Sequence, residues 1–249
     1  MKRYLLIVLF ISLAALPALA LYQVDFAPEL IGKKFVSITK LKQTGEVAGR
    51  GETTFGKTTS NGKDYIVIKN ASSIKISGHV YASRATRYYN YENGKITVYS
   101  IEGETKKDGK AYQDYRANFD WTNKTANISF NDLEKKDTQK KLINITTRMI
   151  LVQDLELYLS ALAARGVKQD SVKAIVPSGV TFGMLIKVAG KEDGLIRMEL
   201  KIDLGLLTFV IPNVNYWLSA EPPYSLVRYA GLLSGPGSPD VVLEVTESD

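Results

Sequence analysis

Hydrophobic and polar residues alternate along most of this chain, which is the pattern of β-strands with one buried face. In the clearest segment, five apolar residues alternate with four charged ones. The apolar residues of this segment are Ile196, Met198, Leu200, Ile202 and Leu204. A second segment places its apolar residues on one face in the same way, namely Phe182, Met184, Ile186 and Val188. The pattern predicts strands that each turn one face toward a core.

Short turn signals separate these strands. Asn61-Gly62, Asn93-Gly94 and Asp108-Gly109 are dipeptides that favour two-residue hairpin turns. After the first turn, alternation over Ser73–Val80 predicts a single strand. Consecutive hairpins build an antiparallel meander. We expect a loop at the charged segment 133–141, an edge strand over Val241–Val245, and a frayed acidic tail at 246–249.

One segment breaks the alternation and predicts a helix, the stretch DLELYLSALAARG at residues 154–166. Asp154 suits an N-cap, and Gly166 suits a left-handed residue that ends a helix. Asp154 and Glu156 are two positions apart and do not face each other on a helix, which favours capping and a solvated edge over an acid–base pair. Most of the circumference is apolar, so the sheet must cover this helix.

These elements predict a mainly β fold, in which an antiparallel meander forms an open or closed β-barrel wrapped around one apolar α-helix. Residues 21–249 are expected to form a single domain with the helix near 154–165. Residues 1–20 resemble a secretory signal peptide, with Lys2 and Arg3 before an apolar run and Ala18-Leu19-Ala20 at the cleavage site. We therefore expect an exported protein, periplasmic or extracellular. An uncleaved anchor is the alternative, although the apolar run is short for a membrane span.

Charge is unevenly distributed along the chain. Residues 21–150 contain 22 Lys/Arg and 14 Asp/Glu, whereas residues 151–249 contain 8 and 12. The basic half could attract an acidic glycan, a lipid surface or an envelope protein, or could simply be a solvated face. Nucleic acid is not expected, because no recognisable binding motif is present.

Residue types restrict the chemistry that this chain can perform. The chain contains no cysteine, which excludes disulfides and thiolate sites, and His79 is its single histidine. On a polar strand face such a histidine is usually solvated or hydrogen-bonded. A Ser-His-Asp site is not excluded by counting, but the Gly-x-Ser-x-Gly pattern is absent. We therefore expect no catalytic residue, no metal site and no cofactor.

Aromatic residues are concentrated in the hairpin series and recur later in the chain. They suit a hydrophobic core or the lining of a concave sheet, and tyrosine rings with a polar tip also suit amphipathic ligands. The residues expected to contact a ligand are Tyr89, Tyr91, Tyr99, Tyr115, Phe119, Trp121, Tyr158 and Trp217.

A family resemblance rests on several features between residues 85 and 230. These are Gln153-Asp154 before a helix that ends at Arg165-Gly166, the strand pair at 182–192, Trp217-Leu218-Ser219, and Leu226-Val227-Arg228. Together they resemble the DUF3108-like family of exported bacterial envelope proteins of unknown function. The resemblance implies an open β-barrel around a helix, similar to periplasmic lipoprotein carriers, with an apolar cavity and no established activity.

The leading expectation is a non-enzymatic exported envelope protein that binds a lipid or another amphipathic ligand in a barrel cavity. A structural or interaction protein with a filled core is the main alternative. A hydrolase and an integral outer-membrane barrel are weaker alternatives.

Overall fold

The computed structural model of the protein describes residues 23–146, 148–203, 214–233 and 238–248. Within these ranges, sixteen β-strands and one α-helix form. The helix α1 spans Leu155–Ala164. The strands are β1 Gln23–Asp25, β2 Lys34–Leu41, β3 Val47–Ser60, β4 Lys63–Ile76, β5 His79–Glu92, β6 Lys95–Lys107, β7 Lys110–Asp120, β8 Thr125–Asp132, β9 Asp137–Asn144, β10 Met149–Leu151, β11 Gln169–Ile175, β12 Thr181–Glu192, β13 Leu195–Asp203, β14 Val214–Ser219, β15 Leu226–Leu232 and β16 Asp240–Ser248. The predicted signal segment 1–20 and the apolar Leu204 lie outside the described residues.

The strands form one sheet whose order follows the chain almost throughout. The path runs from β10 through β16, continues into β2, and ends at β9, while β1 pairs with β6 off this path. The pairings along the path are antiparallel except that of β10 with β11, which is parallel because α1 crosses over between them. The predicted mainly β meander with a single helix is therefore confirmed.

The sheet is barrel-like, but hydrogen bonds do not close it. The path ends at β9 and β10, which follow each other directly in the chain. One hydrogen bond bridges this seam. Lys141 Nζ, on β9, donates to the carbonyl of Ser178, in the turn between β11 and β12, at 2.9 Å. The open form of the predicted barrel is thus the observed one.

The helix lies against the inner side of the sheet, where the predicted cover is present. Six of its ten residues are buried, namely Leu155, Leu157, Tyr158, Leu159, Ala161 and Leu162. Gly166 adopts the left-handed conformation (φ +65°) that the sequence predicted for the end of the helix. The helix joins the sheet interior into one hydrophobic core.

Three local predictions were wrong. Residues 73–80 are not one strand, because Ser77 and Gly78 form a two-residue turn with positive φ angles. The turn makes Ile76 and His79 partners on neighbouring strands, so their side chains lie on the same face of the sheet. Alternation along a single strand would have put them on opposite faces. His79 is exposed and hydrogen-bonded to Asp108 at 2.7 Å, as one of the two predicted alternatives.

The two other corrections concern the ends of the sheet. Most of the segment 133–141 is not a loop, because β9 begins at residue 137. Lys140 and Lys141 belong to this strand, which is paired on one side along the sheet path, where charge discourages further pairing. The strand predicted at the edge, β16, instead lies between β15 and β2 and continues through the predicted acidic tail to Ser248.

Candidate functional site

The core on one side of the helix is filled with aromatic side chains. Four of the predicted ligand-contacting residues lie here: Tyr89, Phe119, Trp121 and Tyr158 surround a space of about 30 Å³, enough for roughly one or two water molecules. The Phe119 and Trp121 rings stack with centroids 5.8 Å apart, and Trp121 Nε1 donates to the Val98 carbonyl at 2.6 Å. These four residues pack together as core.

The other four predicted residues are dispersed over the sheet. Tyr91 packs edge-to-face on Phe26 with ring centroids 6.0 Å apart, and Tyr99 is 49% exposed. Tyr115 is half-buried, and burial raises the pKa of its hydroxyl. The eight residues therefore do not form one surface, and a ligand contact by any of them stays a prediction.

Trp217 belongs to a separate cluster beside β15. The Arg228 guanidinium lies over the indole ring of Trp217, 4.0 Å from the ring centroid. Trp217 Nε1 donates a hydrogen bond to the Glu192 carboxylate at 3.3 Å. The ring is covered by a cation and held by a carboxylate, an arrangement that stabilises the β14–β15 pair.

A cavity of about 700 Å³ lies on the opposite side of the core from the packed aromatic cluster. Its apolar wall comes mainly from the inward faces of β12 to β16 and from the start of the helix. The apolar lining residues include Val152, Leu155, Phe182, Met184, Leu200, Ile202, Val214, Tyr216, Leu226, Tyr229, Leu232 and Leu243. A second cavity of about 270 Å³ shares four lining residues with the first, namely Asn70, Glu156, Leu226 and Leu243. The two spaces therefore adjoin along the helix.

A buried polar cluster closes one end of the larger cavity. Arg87, on β5, is 1% exposed, and its Nη1 lies 2.9 Å from Asp154 Oδ1 and also donates to the Gln153 carbonyl. Its Nη2 donates to Asn70 Oδ1 at 2.8 Å and lies 3.6 Å from Glu156 Oε1. One guanidinium thus links β4 and β5 to the beginning of the helix.

Asp154 has a role that the sequence analysis did not predict. It occupies the N-cap position, but its side chain makes no capping hydrogen bond. Its carboxylate instead accepts hydrogen bonds from Arg87 and, at 2.5 Å, from the Tyr89 hydroxyl. The predicted capping role of Asp154 is therefore wrong, because its buried side chain binds Arg87 instead. The Glu156 side chain stays 30% exposed and also approaches the same guanidinium.

Two buried polar atoms of this cluster lack a hydrogen-bond partner among the described residues. They are Arg87 Nε and Gln153 Oε1, and both residues line the larger cavity. An unpaired buried donor or acceptor costs about 1–3 kcal/mol. Neither atom has surface open to the cavity, so their cost falls on the packing of the cluster itself.

Burial also changes the protonation of the carboxyl groups in the cluster. It raises the pKa of Glu156 above its ordinary value, and the proximity of Arg87 opposes this shift only in part. Burial raises the pKa of Asp154 as well, against the opposing effects of Arg87 and Tyr89. Glu156 is the weaker partner of Arg87 by distance, and its side chain lines both cavities.

Replacing Glu156 by glutamine is expected to raise the melting temperature at neutral pH. A carboxyl group whose pKa is raised in the folded state stabilises the fold fully below its unfolded pKa, near 4.5, and this contribution is lost as pH rises through the folded pKa. The gain of Glu156→Gln over the wild type should therefore grow from pH 4 upward and then level off. Thermal unfolding followed by circular dichroism across pH 4–8 measures it, and a gain that does not change with pH would contradict it.

Sequence reasoning missed Arg87, Asn70 and Gln153. A signal for Arg87 was present, because it shares its strand face with Tyr89 and Tyr91 and so places a charge on a face predicted to be buried. No comparable signal exists for Asn70 or Gln153. Within the described ranges, no group of three or more His, Cys, Asp or Glu residues could hold a metal ion. No helix in the same ranges has the length and apolarity needed to cross a membrane.

Comparisons with known proteins give little beyond the fold. No family model matches the chain, so the resemblance to the DUF3108-like family has no support at that level. No curated protein matches it either. Among solved structures, the chain is similar to a crystal structure of a DUF1089 family protein from Pseudomonas aeruginosa, with 7% sequence identity and a TM-score of 0.34 over 70% of this chain and 87% of that chain. A likeness at this level carries no information about activity.

Proposed function

We propose that this protein is an exported, non-enzymatic envelope protein that binds a lipid-like amphipathic molecule in the cavity beside α1. The observation that supports the proposal is a cavity of about 700 Å³ with an apolar wall and one polar end. Ligand sites in proteins are typically about 300–1,000 Å³, largely apolar, and carry a few convergent polar groups. The same division suits a molecule with an acyl chain and a small head group.

Burial of the chain would supply most of the affinity. Each methylene group moved from water into an apolar site contributes about 0.8 kcal/mol. A chain that buries about ten of these groups would gain roughly 8 kcal/mol, which corresponds to a dissociation constant on the order of 1 μM before the cost of ordering the chain. The site is therefore expected to favour long-chain molecules over short ones.

Export is proposed on the sequence of residues 1–20, which lie outside the described residues. The positive start, the apolar run and the small residues before Leu21 support cleavage by a signal peptidase.

An interaction protein of the envelope is the second candidate. The edge strand β9 supports this candidate. It is the last strand of the sheet path, where it pairs with β8, and its Leu142 is 67% exposed. An edge of this kind can accept a strand from another chain. The lysines of β9 oppose such pairing, which is why the cavity proposal is preferred.

Native mass spectrometry of the protein purified from an envelope fraction tests both parts of the leading proposal. We expect a chain mass that corresponds to residues 21–249, together with an added mass that dissociates as an acyl-containing molecule. A chain that retains residues 1–20 would contradict cleavage. A protein that carries no such molecule, and that gains none when incubated with lipid extract, would contradict ligand binding.

Filling the cavity should abolish binding. Leu226 lines both cavities, so Leu226→Trp is expected to weaken binding of a fluorescent naphthylamine probe at least tenfold by occupying the space of the chain. Leu185 is 40% exposed and lies outside the cavity wall, which makes Leu185→Trp the matched control. Fluorescence titration compares the two variants, and equal binding by both would show that the probe binds elsewhere.

A further inference from the structure

We propose that the amphipathic ligand carries a cationic head group, a primary ammonium, which binds beside Glu156 where the two cavities adjoin. This inference rests on the proposed function and adds the chemical class of the ligand. It comes from the balance of charge around this junction and from the position of Glu156 on the helix.

The ionisable groups around the junction include one carboxylate in excess. Arg87 is the only lysine or arginine that lines either cavity among the described residues. Its Nη1 lies 2.9 Å from Asp154 Oδ1, whereas its Nη2 lies 3.6 Å from Glu156 Oε1. Glu52 also borders the smaller cavity, but it is paired with Lys34 at 2.7 Å. One guanidinium therefore faces two carboxylates, and Glu156 is the one that it holds less closely.

The Glu156 side chain is also the accessible member of this group. It is 30% exposed, against 2% for the side chain of Arg87 and 11% for that of Asp154, and Glu156 lines both cavities. It lies in the first turn of α1, where the helix dipole favours a negative charge. A cation in the cavity can therefore reach this carboxylate, while the guanidinium beside it stays shielded.

Ser160 adds a second hydrogen-bond acceptor one helical turn after Glu156. Residues four positions apart lie on the same face of a helix, and both of these line the smaller cavity. The Ser160 hydroxyl donates toward the carbonyls of Glu156, at 2.9 Å, and Tyr224, at 2.8 Å, which leaves its oxygen lone pairs to accept. A primary ammonium has three N–H donors, so it can serve the carboxylate and the hydroxyl together.

The same arrangement disfavours an anionic head group. A carboxylate beside Glu156 would place two like charges close together in a site of low polarity, where they repel strongly. Arg87 offers no compensation, because it is 1% exposed and already paired with Asp154. A neutral amide would be neither attracted nor repelled by the excess charge, so its affinity would come from the chain and from hydrogen bonds alone.

The first test compares three probes that share one lauryl chain and differ in the head group. Laurylammonium, lauramide and laurate are titrated at pH 7.5 against the protein loaded with the fluorescent naphthylamine, and displacement is measured. We expect laurylammonium to bind at least about tenfold more tightly than lauramide, and laurate to bind most weakly. Lauramide or laurate binding as tightly as laurylammonium would overturn the head-group inference while leaving the cavity proposal intact. If none of the three displaces the naphthylamine, the proposed function fails together with the inference.

A pair of glutamine variants links the preference to Glu156. Glu156→Gln keeps the shape of the side chain and removes its charge, so the advantage of laurylammonium over lauramide should fall to about twofold or less while lauramide binding is unchanged. Glu46 is exposed between β2 and β3 and lines neither cavity, so Glu46→Gln is the control and should keep the full preference. Circular dichroism and unchanged naphthylamine binding confirm that both variants fold. A preference that survives in Glu156→Gln would overturn the inference.

The charged and titratable groups around Glu156 make its ionisation measurable. They are Arg87 and Tyr89 on β5, Tyr216 on β14, and Asp154 before the helix. Burial raises the pKa of both tyrosines, so they stay neutral through pH 8. The strands β4, β15 and β16 contribute only uncharged residues to the lining that the two cavities share.

The affinity for laurylammonium should therefore depend on pH through Glu156. Burial raises the pKa of this carboxyl group, and an alkylammonium keeps its charge through pH 8. Binding of laurylammonium should strengthen from pH 5 upward as Glu156 loses its proton and then level off, whereas lauramide binding should stay constant. The same rise in Glu156→Gln would assign the effect to another group and contradict the inference.

Discussion

Replacing Arg87 by methionine is expected to lower the free energy of unfolding by about 3–5 kcal/mol. Arg87 is 1% exposed and compensates the buried carboxylate of Asp154, whose side chain is 11% exposed. Methionine fills similar space but leaves that carboxylate without its cation, and a buried charge that loses its partner is strongly destabilising. Chemical denaturation followed by circular dichroism measures the change.

Two further variants separate this effect from a general loss of an arginine. Arg84 lies on the same strand and is exposed, so Arg84→Met should change stability by no more than about 0.5 kcal/mol. Adding Asp154→Asn to Arg87→Met removes the uncompensated charge and should recover part of the loss. Equal stability of the Arg87 and Arg84 variants would mean that the buried cluster does not hold the helix against the sheet.

Replacing Leu159 by alanine is expected to destabilise the fold by about 2–5 kcal/mol. Leu159 has no exposed surface and lies in the middle of α1, where it belongs to the shared core of the helix and the sheet. Removing its side-chain carbons loses their transfer free energy and leaves a cavity that the surrounding strands fill only in part. The shift in the denaturation midpoint reports this loss.

Leu142 provides the matched leucine. It lies on the edge strand β9 and is 67% exposed, so Leu142→Ala should cost little. If the two leucine variants were equally stable, α1 would contribute no packing energy and would not be the element that the sheet encloses.

The sequence predicted the architecture well because the fold obeys local rules. Strict alternation identified the strands, and Asn-Gly and Asp-Gly turns ordered them into a meander. Gly166 marked the end of the helix because a left-handed residue there favours glycine. The Ser77-Gly78 turn was missed since a two-residue turn leaves the alternation of apolar residues apparently unbroken.

The cavity could be predicted only in part. The apolar faces that line it, including Phe182, Met184, Leu200 and Ile202, were identified correctly as facing inward. Periodicity shows which way a side chain points but not whether the opposite wall is close enough to fill the space. The aromatic residues of the hairpin series were expected at a ligand, yet Phe119 and Trp121 pack against each other because large rings fill a core efficiently.

The buried cluster could not be predicted because it depends on long-range pairing. Arg87 and Asp154 are 67 positions apart, and only the folded chain brings the residue before α1 against β5. Local rules assigned Asp154 to capping, which is its most common use at such a position. Tertiary contact with a buried guanidinium overrode that preference.

The central claim is that an amphipathic molecule lies in the cavity beside α1, and nuclear Overhauser contacts test it most directly. In a sample with labelled methionine methyl groups and unlabelled lauramide, we expect contacts from the lauryl chain to the methyl group of Met184, which lines the cavity. Met149 lines the packed space of about 30 Å³ and should show none. Contacts that are absent at Met184, or equally strong at Met149, would contradict the account.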